Sequence, residues 1–505
     1  MKKTHLWMIF LTGFGLFMFT RSSVLVPTIQ IMIAIAPIFI LRFSRSLPVK
    51  KGILLTLLGF ILSMNIALWG LFELEDATMM MTLSVVRSTL LAILYFIPFM
   101  LDRILYEKYR EHGEINIIIF PVAITAVMFL ASLEGPFDGM VGKTIYEMGN
   151  LQFKQLASVF GLWGFIFFYS WLDAIVVHIW EGGFKWQAAK KNNIAFVVAC
   201  VLILGFGHVK VNSTFDKDMD TVKIAAIVLL PDDGNAKNMM SLYTNKTTDN
   251  ISEILGEIDK LITKVTNNKA QLVTFQENSA MINEEDIDDF ENGLQAIAKK
   301  NQVFLNVTYG YYGSVGKGEN IQILIDPKGE IVIDYTKRYL LGLGDMGETS
   351  VFKKGKAILK TYETPFGVIG TVTCRDMDFE SFIKQASDMN VDILLGPSYD
   401  YPESKGPYYT LRAIENGFTF IRATYNGTSF AEDYHGRILA EMDFDSTQDG
   451  ILYADVPQKG IKTVYGSIGN LFGWMTVVSL LMLMILSKFI RKPDHKAVNL
   501  LKEIS

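Results

Sequence analysis

The sequence predicts a multi-pass α-helical membrane protein that carries a separate α/β domain. Half of its 505 residues are hydrophobic and its mean hydropathy is +0.28, which is more apolar than an ordinary soluble chain. Apolar stretches long enough to cross a membrane lie before residue 210 and near the C-terminus. Residues 210–466 instead alternate short β-branched runs with amphipathic segments, which is typical of a layered α/β domain.

Eight apolar stretches predict about eight transmembrane spans, seven before the polar half and one after it. Most of them approach the roughly 17–25 residues that a helix needs to cross the hydrocarbon core. Residues 1–20 could instead be a cleaved signal peptide, but Arg21 follows without a small-residue cleavage site and another span begins almost at once. The predicted spans are residues 5–20, 23–41, 53–72, 82–101, 115–133, 157–180, 192–208 and 470–490.

Clusters of lysine and arginine predict the orientation in the membrane. With eight spans, every such cluster falls on one side, whereas the acidic "ELEDA" at 73–77 falls on the other. We therefore expect both termini in the cytoplasm and the polar half outside the cell. The clusters lie at residues 2–3, 42–51, 103–110, 185–191 and 488–496. The predicted domains are residues 1–209 (about seven spans), 210–466 (extracytoplasmic domain), 467–490 (last span) and 491–505 (cytoplasmic tail).

Two ionisable residues fall within the predicted spans. Charged side chains inside a bilayer are expensive, so they are candidates for function by default. Arg87 is one turn inside its span and could reach the membrane interface, whereas Asp173 is deeper and could pair with a neighbouring helix. The sequence leaves both roles open.

The polar half contains eight β-branched runs with amphipathic helical patterns between several of them. A domain of about 250 residues is large enough to enclose one core of this type. The predicted helices lie near 249–267, 284–299, 378–389 and 404–416. The predicted strands lie at 223–230, 271–277, 302–310, 321–326, 367–374, 391–396, 418–426 and 450–456.

Three chemically suitable residues end or follow strands of this domain: Glu277, Lys337 and Cys374. Functional side chains gather at the carboxyl edges of strands in such sheets, so the three could converge. A thiol can attack a carbonyl carbon while a carboxylate removes its proton. A lysine can stabilise the oxyanion, and it would be expected to lower the pKa of the thiol. The alternative for Cys374 is a small buried hydrophobic residue.

Composition argues against several other functions. The net charge of −5 gives no support for nucleic-acid binding. The two cysteines, Cys200 and Cys374, lie in segments of different character, so a disulfide framework is not expected. The six histidines are scattered and show no zinc-type spacing with cysteine. We therefore expect neither a metal nor an organic cofactor.

The order Glu277, Lys337, Cys374, each in its local context, resembles the nitrilase (carbon–nitrogen hydrolase) superfamily. The resemblance implies an α-β-β-α sandwich in which Glu277 is the general base, Lys337 stabilises the oxyanion and Cys374 is the nucleophile. It extends to a Tyr-x-Lys-x-x-Leu segment over 335–340 and to Asp376. It also covers the segment that contains Arg412, Ala413, Glu415 and Arg422.

The whole chain is similar to the bacterial apolipoprotein N-acyltransferase family, which has seven spans, an external nitrilase domain and a last span. "YLLGLGDMGE" (339–348) resembles that family's Leu-x-Pro-Phe-Gly-Glu loop, with Asp345 at the position of the second carboxylate. The resemblance implies an enzyme of the bacterial cell membrane. An acyl chain would pass from a phospholipid to Cys374 as a thioester, and then to the α-amino group of an N-terminal diacylglyceryl-cysteine on a lipoprotein.

The chain also departs from that family. Cys374-Arg375-Asp376 stands where the family has Cys-Tyr-Glu, so a cation at Arg375 could alter recognition of the acceptor or the headgroup. One alternative is therefore a membrane-tethered hydrolase (an amidase), or another acyl or amide transferase with the same Glu-Lys-Cys triad. Another is a membrane scaffold without catalytic activity, which the intact triad disfavours.

Overall fold

The computed structural model describes residues 3–20, 27–69, 77–110, 112, 114–133, 149–213, 219–229, 246, 248–342, 347–404, 410–443 and 450–490. The chain divides into two compact units. The first, helical unit comprises Met1–Met148, Phe160–Leu204 and Asn470–Ser505. The second unit comprises Gly149–Val159 and Gly205–Gly469 and contains both β-sheets.

Each of the eight predicted spans contains a helix. Five helical segments of the described chain are long and apolar enough to cross a membrane. They are Val49–Ala67, Met81–Tyr109, Ile115–Ser132, Ala157–Glu181 and Trp186–Asn212. The protein is therefore a membrane protein with several candidate spans, while the count of about eight and the orientation remain predictions. The helices are α1 (Lys3–Met18), α2 (Met32–Arg45), α3 (Val49–Ala67), α4 (Ala77–Tyr109), α5 (Ile115–Ser132), α6 (Leu151–Lys154), α7 (Ala157–Glu181), α8 (Lys190–Ser213) and, at the C-terminal end, Leu471–Leu486.

A row of aromatic rings packs α1, α3, α4 and α5 together. Phe14, Phe60, Phe99 and Phe120 contact one another in turn, with ring centroids 5.3, 5.1 and 4.8 Å apart. Gly59 makes this packing possible, because a Cβ there would lie 2.4 Å from the Phe14 ring. Aromatic pairs at such distances stabilise a core beyond the area that they bury.

The two charged residues singled out within the spans have different surroundings. Asp173 is buried in α7, and its Oδ1 atom accepts no hydrogen bond from the part of the chain that the structure describes. Arg87 is half-buried in α4. A charge pair that the sequence did not indicate is fully buried between α2 and α4, where Arg45 binds Asp102 with N–O distances of 2.6 and 2.9 Å.

The second unit is built on two sheets of seven strands each. The first has the strand order β14-β1-β2-β4-β5-β6, with β3 paired to β4, and the second has the order β10-β12-β11-β9-β8-β7, with β13 paired to β12. The strands are β1 (Thr221–Ile227), β2 (Leu272–Phe275), β3 (Ala280–Asn283), β4 (Phe304–Tyr312), β5 (Asn320–Ile325), β6 (Ile331–Thr336), β7 (Lys360–Thr364), β8 (Gly367–Thr371), β9 (Ile393–Leu395), β10 (Ser398–Ser404), β11 (Thr419–Arg422), β12 (Thr424–Glu432), β13 (Ile438–Asp443) and β14 (Ile451–Pro457).

The sheets face each other and helices cover the outside, which gives the expected α/β sandwich. Phe304 of β4 meets Phe366, which lies beside β8, with ring centroids 5.3 Å apart. The apolar faces of two helices pack on the first sheet through residues such as Ile262 and Leu294. The helices of this unit are α9 (Ile251–Asn267), α10 (Ile287–Asn301), α11 (Glu348–Val351), α12 (Glu380–Asp388), α13 (Thr410–Asn416) and α14 (Val464–Ile468), so that Leu471–Leu486 is α15.

All eight predicted β-branched runs contain strands, and the run at 418–426 contains parts of two, β11 and β12. The prediction missed β3, β6, β7, β10 and β13. Strands β6, β7 and β13 are partly exposed, so their sequences mix charged and apolar residues and lack a continuous hydrophobic run. The helix predicted at 404–416 starts too early, because residue 404 ends β10 and α13 begins at Thr410.

Candidate active site

Residues from both sheets converge at one site. Glu277 lies two residues after β2 and Lys337 directly after β6, both strands of the first sheet. Cys374 lies three residues after β8, in the second sheet. The structure therefore brings the three predicted residues together by placing the thiol on one sheet and its two charged partners on the other.

The ammonium of Lys337 is held between two carboxylates. Its Nζ donates to Glu277 Oε1 at 2.6 Å and to both carboxylate oxygens of Glu348 at 2.7 and 2.8 Å. All three side chains are almost completely buried. A buried charge is tolerated when it is paired and hydrogen-bonded, and here one cation has two acidic partners.

Glu277 is fixed from two further sides. Asn320 Nδ2 donates to Glu277 Oε1 at 2.9 Å, and the backbone N–H of Tyr399 donates to Oε2 at 3.0 Å. The carboxylate also lies close enough to Cys374 for the two side chains to influence each other's pKa. Glu277 is therefore the candidate acceptor of the thiol proton.

Cys374 occupies a sharp turn. Its φ of 50° is in the left-handed region, which non-glycine residues rarely adopt and which recurs at functional sites. The Cys374 N–H donates to the carbonyl of Pro397 at 2.8 Å, and Sγ lies 3.9 Å from the carbonyl oxygen of Tyr399. Cys374 is also the first residue of a 3₁₀ turn, Cys374–Asp378.

A buried polar chain supports this turn from the opposite sheet. The Thr373 hydroxyl donates to Gln322 Oε1 at 2.9 Å, and Gln322 Nε2 donates to Asn306 Oδ1 at 3.1 Å. Asn306 in turn donates to the hydroxyl of Thr274 at 2.8 Å. Because buried polar groups are costly when unpaired, this network favours one arrangement of the two sheets around Cys374.

Asp376, a predicted supporting residue, connects the turn that contains Cys374 to the segment around Lys337. Its carboxylate accepts hydrogen bonds from the N–H of Thr373 at 3.0 Å, the hydroxyl of Tyr335 at 2.6 Å and the N–H of Tyr339 at 2.9 Å. The hydrogen bond from Tyr335 gives a structural role to the tyrosine that precedes Lys337 by two residues in the Tyr-x-Lys-x-x-Leu segment. Burial raises the pKa of Asp376 to about 6, against the effect of these donors.

Arg375, the second supporting residue beside the thiol, reaches the same segment. Its Nη1 donates to the carbonyl of Leu340 at 2.8 Å, and its guanidinium lies 5.4 Å from the centre of the Phe379 ring. The next residue, Leu341, donates its N–H to Glu348 Oε2 at 2.5 Å. Residues 339–341 are therefore bound in succession to Asp376, Arg375 and Glu348.

Glu348 is a site residue that the sequence analysis missed. It lies at the start of α11 and ends the segment "YLLGLGDMGE", in which Asp345 was expected to supply the second carboxylate. Asp345 lies outside the described residues. The glutamate that closes the segment was available as a signal, since the family loop also ends in glutamate.

Arg412 and Glu415 are brought together away from this site. Both lie in α13, and Arg412 Nη1 binds Glu415 Oε2 at 2.6 Å with both side chains buried. Arg412 also lies 3.7 Å from a carboxylate oxygen of Glu380 in α12. These described contacts lie between the two helices α12 and α13, where the pair supports the packing of the domain.

Burial and the charges of the neighbouring side chains together determine the electrostatics of the site. Desolvation, opposed by Lys337 and increased by the charge of Glu348, raises the pKa of Glu277 to about 7. The pKa of Lys337 is raised, because the attraction of Glu277 and Glu348 outweighs desolvation.

The expectation of a thiol with a lowered pKa is wrong for the resting site. Desolvation and the negative charge of Glu277 raise the pKa of Cys374, and the effect of Lys337 does not compensate. The thiol is therefore protonated near neutral pH, and its proton must pass to Glu277 during attack.

Comparisons with known proteins show which families the chain is similar to. Residues 239–465 match the family described as carbon-nitrogen hydrolase. The chain is 24% identical over 378 residues to an apolipoprotein N-acyltransferase of Haemophilus influenzae, which covers 69% of this chain and 70% of the relative. It is 25% identical over 247 residues to a deaminated glutathione amidase of Synechocystis, which covers 43% of this chain and 90% of the relative.

Solved structures with a similar fold include an amidase from Nesterenkonia, with a TM-score of 0.40 and 18% sequence identity over 49% of this chain and 95% of the amidase. The chain thus joins a carbon–nitrogen hydrolase domain to N-terminal apolar helices and is similar to apolipoprotein N-acyltransferases.

Proposed function

Because this membrane protein is an enzyme of the nitrilase superfamily with distant homology to apolipoprotein N-acyltransferases, we propose that it is a membrane N-acyltransferase. The acyl donor is a phospholipid, and the acceptor is the N-terminal amine of a diacylglyceryl-cysteine lipoprotein. The observation that carries the proposal is the buried Lys337 held between Glu277 and Glu348 beside the thiol of Cys374.

In the first half-reaction, Sγ of Cys374 attacks the ester carbonyl carbon of the phospholipid. Glu277 takes the thiol proton as the S–C bond forms, and Lys337 stabilises the negative charge on the carbonyl oxygen. The ester C–O bond then breaks and Glu277 returns the proton to the leaving oxygen. The products are a lysophospholipid and an acyl thioester on Cys374.

In the second half-reaction, the free amine of the acceptor attacks the thioester carbon. Glu277 takes a proton from the attacking amine, the C–S bond breaks, and the proton returns to the sulfur. The N–C bond that forms is an amide, and the thiol is restored. Two acyl transfers in sequence through one covalent enzyme make a ping-pong scheme.

Glu348 has a separate part in both steps. A lysine between two carboxylates stays protonated, as the direction of its pKa indicates, so it can stabilise an oxyanion in each half-reaction. Glu348 keeps this cation charged while Glu277 is protonated, and it thereby leaves Glu277 free to carry the proton.

The apolar helices favour lipid substrates over soluble ones. A hydrolase of small soluble amides has no need of several membrane helices, whereas an enzyme whose donor and acceptor both reside in a bilayer must be anchored there. The similarity to the Haemophilus influenzae acyltransferase extends over 69% of the chain, which is more than the nitrilase domain alone. We also propose that the nitrilase domain is extracytoplasmic and that both termini are cytoplasmic, from the distribution of lysine and arginine.

A membrane-tethered amidase is the second candidate, because an amidase matches the catalytic domain and Arg375 stands where the transferase family has an aromatic residue. Intact mass spectrometry of the protein incubated with phospholipid separates the two. A fatty-acyl mass increment that hydroxylamine removes, and that Cys374→Ala lacks, is expected for the transferase. A protein that reacts with thiol probes at Cys374 but gains no acyl mass would favour the amidase.

A further inference from the structure

The segment 353–360, "KKGKAILK", is a basic stretch within the second unit. It contains Lys353, Lys354, Lys356 and Lys360, and no aspartate or glutamate occurs between Glu348 and Glu363. The whole chain has the opposite balance, with 47 lysines and arginines against 52 acidic residues. We call residues 353–360 the basic segment.

All four lysines are exposed, and none lies within ion-pair distance of an acidic side chain in the part of the chain that the structure describes. Lys353 has one acidic neighbour, Glu284, which is bound to Ser314 and close enough for the two charges to interact. The charges of the four lysines therefore reach the solvent and can attract an anionic surface over about a Debye length, roughly 10 Å at 0.1 M salt.

Exposed apolar side chains accompany these charges. Ile358, inside the basic segment, is 50% exposed, and Val315, at the turn between β4 and β5, is 91% exposed. That turn adjoins the basic segment, since Lys353 donates its N–H to the carbonyl of Gly318 at 2.7 Å. Lysines interspersed with exposed aliphatic residues are typical of surfaces that bind the headgroup region of anionic membranes.

The basic segment is fixed to the catalytic site at both ends. At its start, the N–H of Gly355 donates to the carbonyl of Lys337 at 2.9 Å, and Arg338 Nη1 donates to the carbonyl of Gly355 at 3.2 Å. At its end, Lys360 opens β7 and lies opposite Thr371 of β8, three residues before Cys374. The segment thus borders the strands that supply both the lysine and the thiol.

Side-chain bonds from α12 hold the middle of the segment. Gln385 accepts a hydrogen bond from the N–H of Leu359 at 3.1 Å and donates one to the carbonyl of Ala357 at 3.2 Å. The lysines are therefore presented by an ordered backbone, and binding an anionic surface requires little ordering of the main chain.

We propose that the basic segment, with Ile358 and Val315, is a docking surface for anionic phospholipid headgroups at the rim of the active site. Phosphate oxygens of the lipid surface contact the lysine ammonium groups, and Ile358 enters the boundary between headgroups and acyl chains. The surface does not depend on acyl transfer, because it would bind anionic lipid whether or not Cys374 reacts with it.

The test uses the full chain carrying Cys374→Ala, reconstituted in nanodiscs of phosphatidylcholine alone or with phosphatidylglycerol added. Acetylation of each lysine is followed by mass spectrometry. We expect Lys353, Lys354, Lys356 and Lys360 to react several-fold more slowly when phosphatidylglycerol is present, and high salt to remove this protection. Equal rates in the two lipids would overturn the proposal, as would equal protection of Lys260, Lys269, Lys299 and Lys328 on other surfaces of the domain.

A matched pair of variants separates the surface from the chemistry. K353Q/K354Q/K356Q/K360Q and the control K260Q/K269Q/K299Q/K328Q remove the same charge from exposed positions. In the chain with Cys374 intact, the first should lose at least about tenfold in acyl loading from phosphatidylglycerol and little from phosphatidylcholine, while the control keeps both rates. Protection of the lysines from acetylation without any acyl loading of Cys374 would support the docking surface and refute the proposed function. Loading without protection, or equal losses in both variants, would refute the docking surface alone.

Discussion

Arg375 donates a hydrogen bond to the carbonyl of Leu340 at 2.8 Å, so the residue after the nucleophile holds the segment that leads from Lys337 to Glu348. The N–H of Leu341 then binds Glu348 at 2.5 Å. Arg375 stands where the transferase family has an aromatic residue. It is therefore connected, through the backbone of Leu340 and Leu341, to Glu348, the second carboxylate that binds Lys337.

Arg375→Leu should lower the rate of Cys374 loading about tenfold, which corresponds to the loss of one charge-assisted hydrogen bond. Single-turnover loading with phospholipid measures the effect. If Arg375 acts through Glu348, the double variant Arg375→Leu/Glu348→Gln should be no slower than Glu348→Gln alone. Additive losses would mean that Arg375 acts on the substrate directly, and Arg375→Lys should recover part of the rate in either case.

Glu277→Gln should reduce loading by a factor of roughly 10² to 10⁴, because glutamine cannot accept the thiol proton. The amide keeps the size of the side chain, so folding should be preserved. Glu291→Gln is the matched control, since Glu291 is bound to the hydroxyl of Tyr309 in another part of the domain. An unchanged loading rate in Glu277→Gln would rule out this residue as the base.

The pH dependence of loading should follow the ionisation of Glu277. Only the carboxylate form accepts the proton, and burial raises its pKa to about 7, so the loading rate should increase with pH through a midpoint near this value. Stopped reactions across the pH range, analysed by intact mass, give this midpoint. A rate that is already maximal well below neutral pH would contradict the assignment of the base.

Glu348→Gln should move that midpoint to lower pH. The negative charge of Glu348 helps to raise the pKa of Glu277, so its removal makes Glu277 ionise more easily. The same variant should also lower the maximal rate, because Lys337 loses one of its two anionic partners. A midpoint that stays in place or moves upward would show that Glu348 does not influence the base.

Arg412→Met should destabilise the nitrilase domain without changing its chemistry. Removing Arg412 leaves Glu415 buried without its cation, which typically costs about 3–5 kcal/mol. We expect a lower melting temperature in detergent, while the loading rate per folded molecule at low temperature stays near that of the unchanged protein. A loss of loading in fully folded protein would place Arg412 in the catalytic machinery after all.

The sequence predicted the features that depend on local pattern. Continuous apolar runs predicted the candidate spans of the described residues and the central strands. Strand-end positions singled out Glu277, Lys337 and Cys374, which the structure brings together. Half-exposed strands such as β7 and β13 were missed, because neighbouring strands decide their conformation and their own sequences carry little periodicity.

The details that the sequence analysis did not supply depend on long-range contacts. Glu348 binds Lys337 only because the segment after β6 folds back onto the site, and the raised pKa of Cys374 results from protein packed around the thiol. Arg412 and Glu415 were predicted as supporting residues from a motif, and the structure adds that they pair with each other in α13. A motif identifies which residues occur together, whereas burial and contacts determine what each one does.

The most direct test of acyl transfer is a chase of the loaded enzyme. Protein carrying an isotopically labelled acyl group on Cys374 is separated from phospholipid and mixed with a diacylated lipopeptide that has a free N-terminal amine, or with the same lipopeptide N-acetylated. The account predicts that the label leaves Cys374 and appears as an amide on the free-amine lipopeptide only. Release of the label as free fatty acid, at one rate with either lipopeptide, would contradict it and identify a hydrolase.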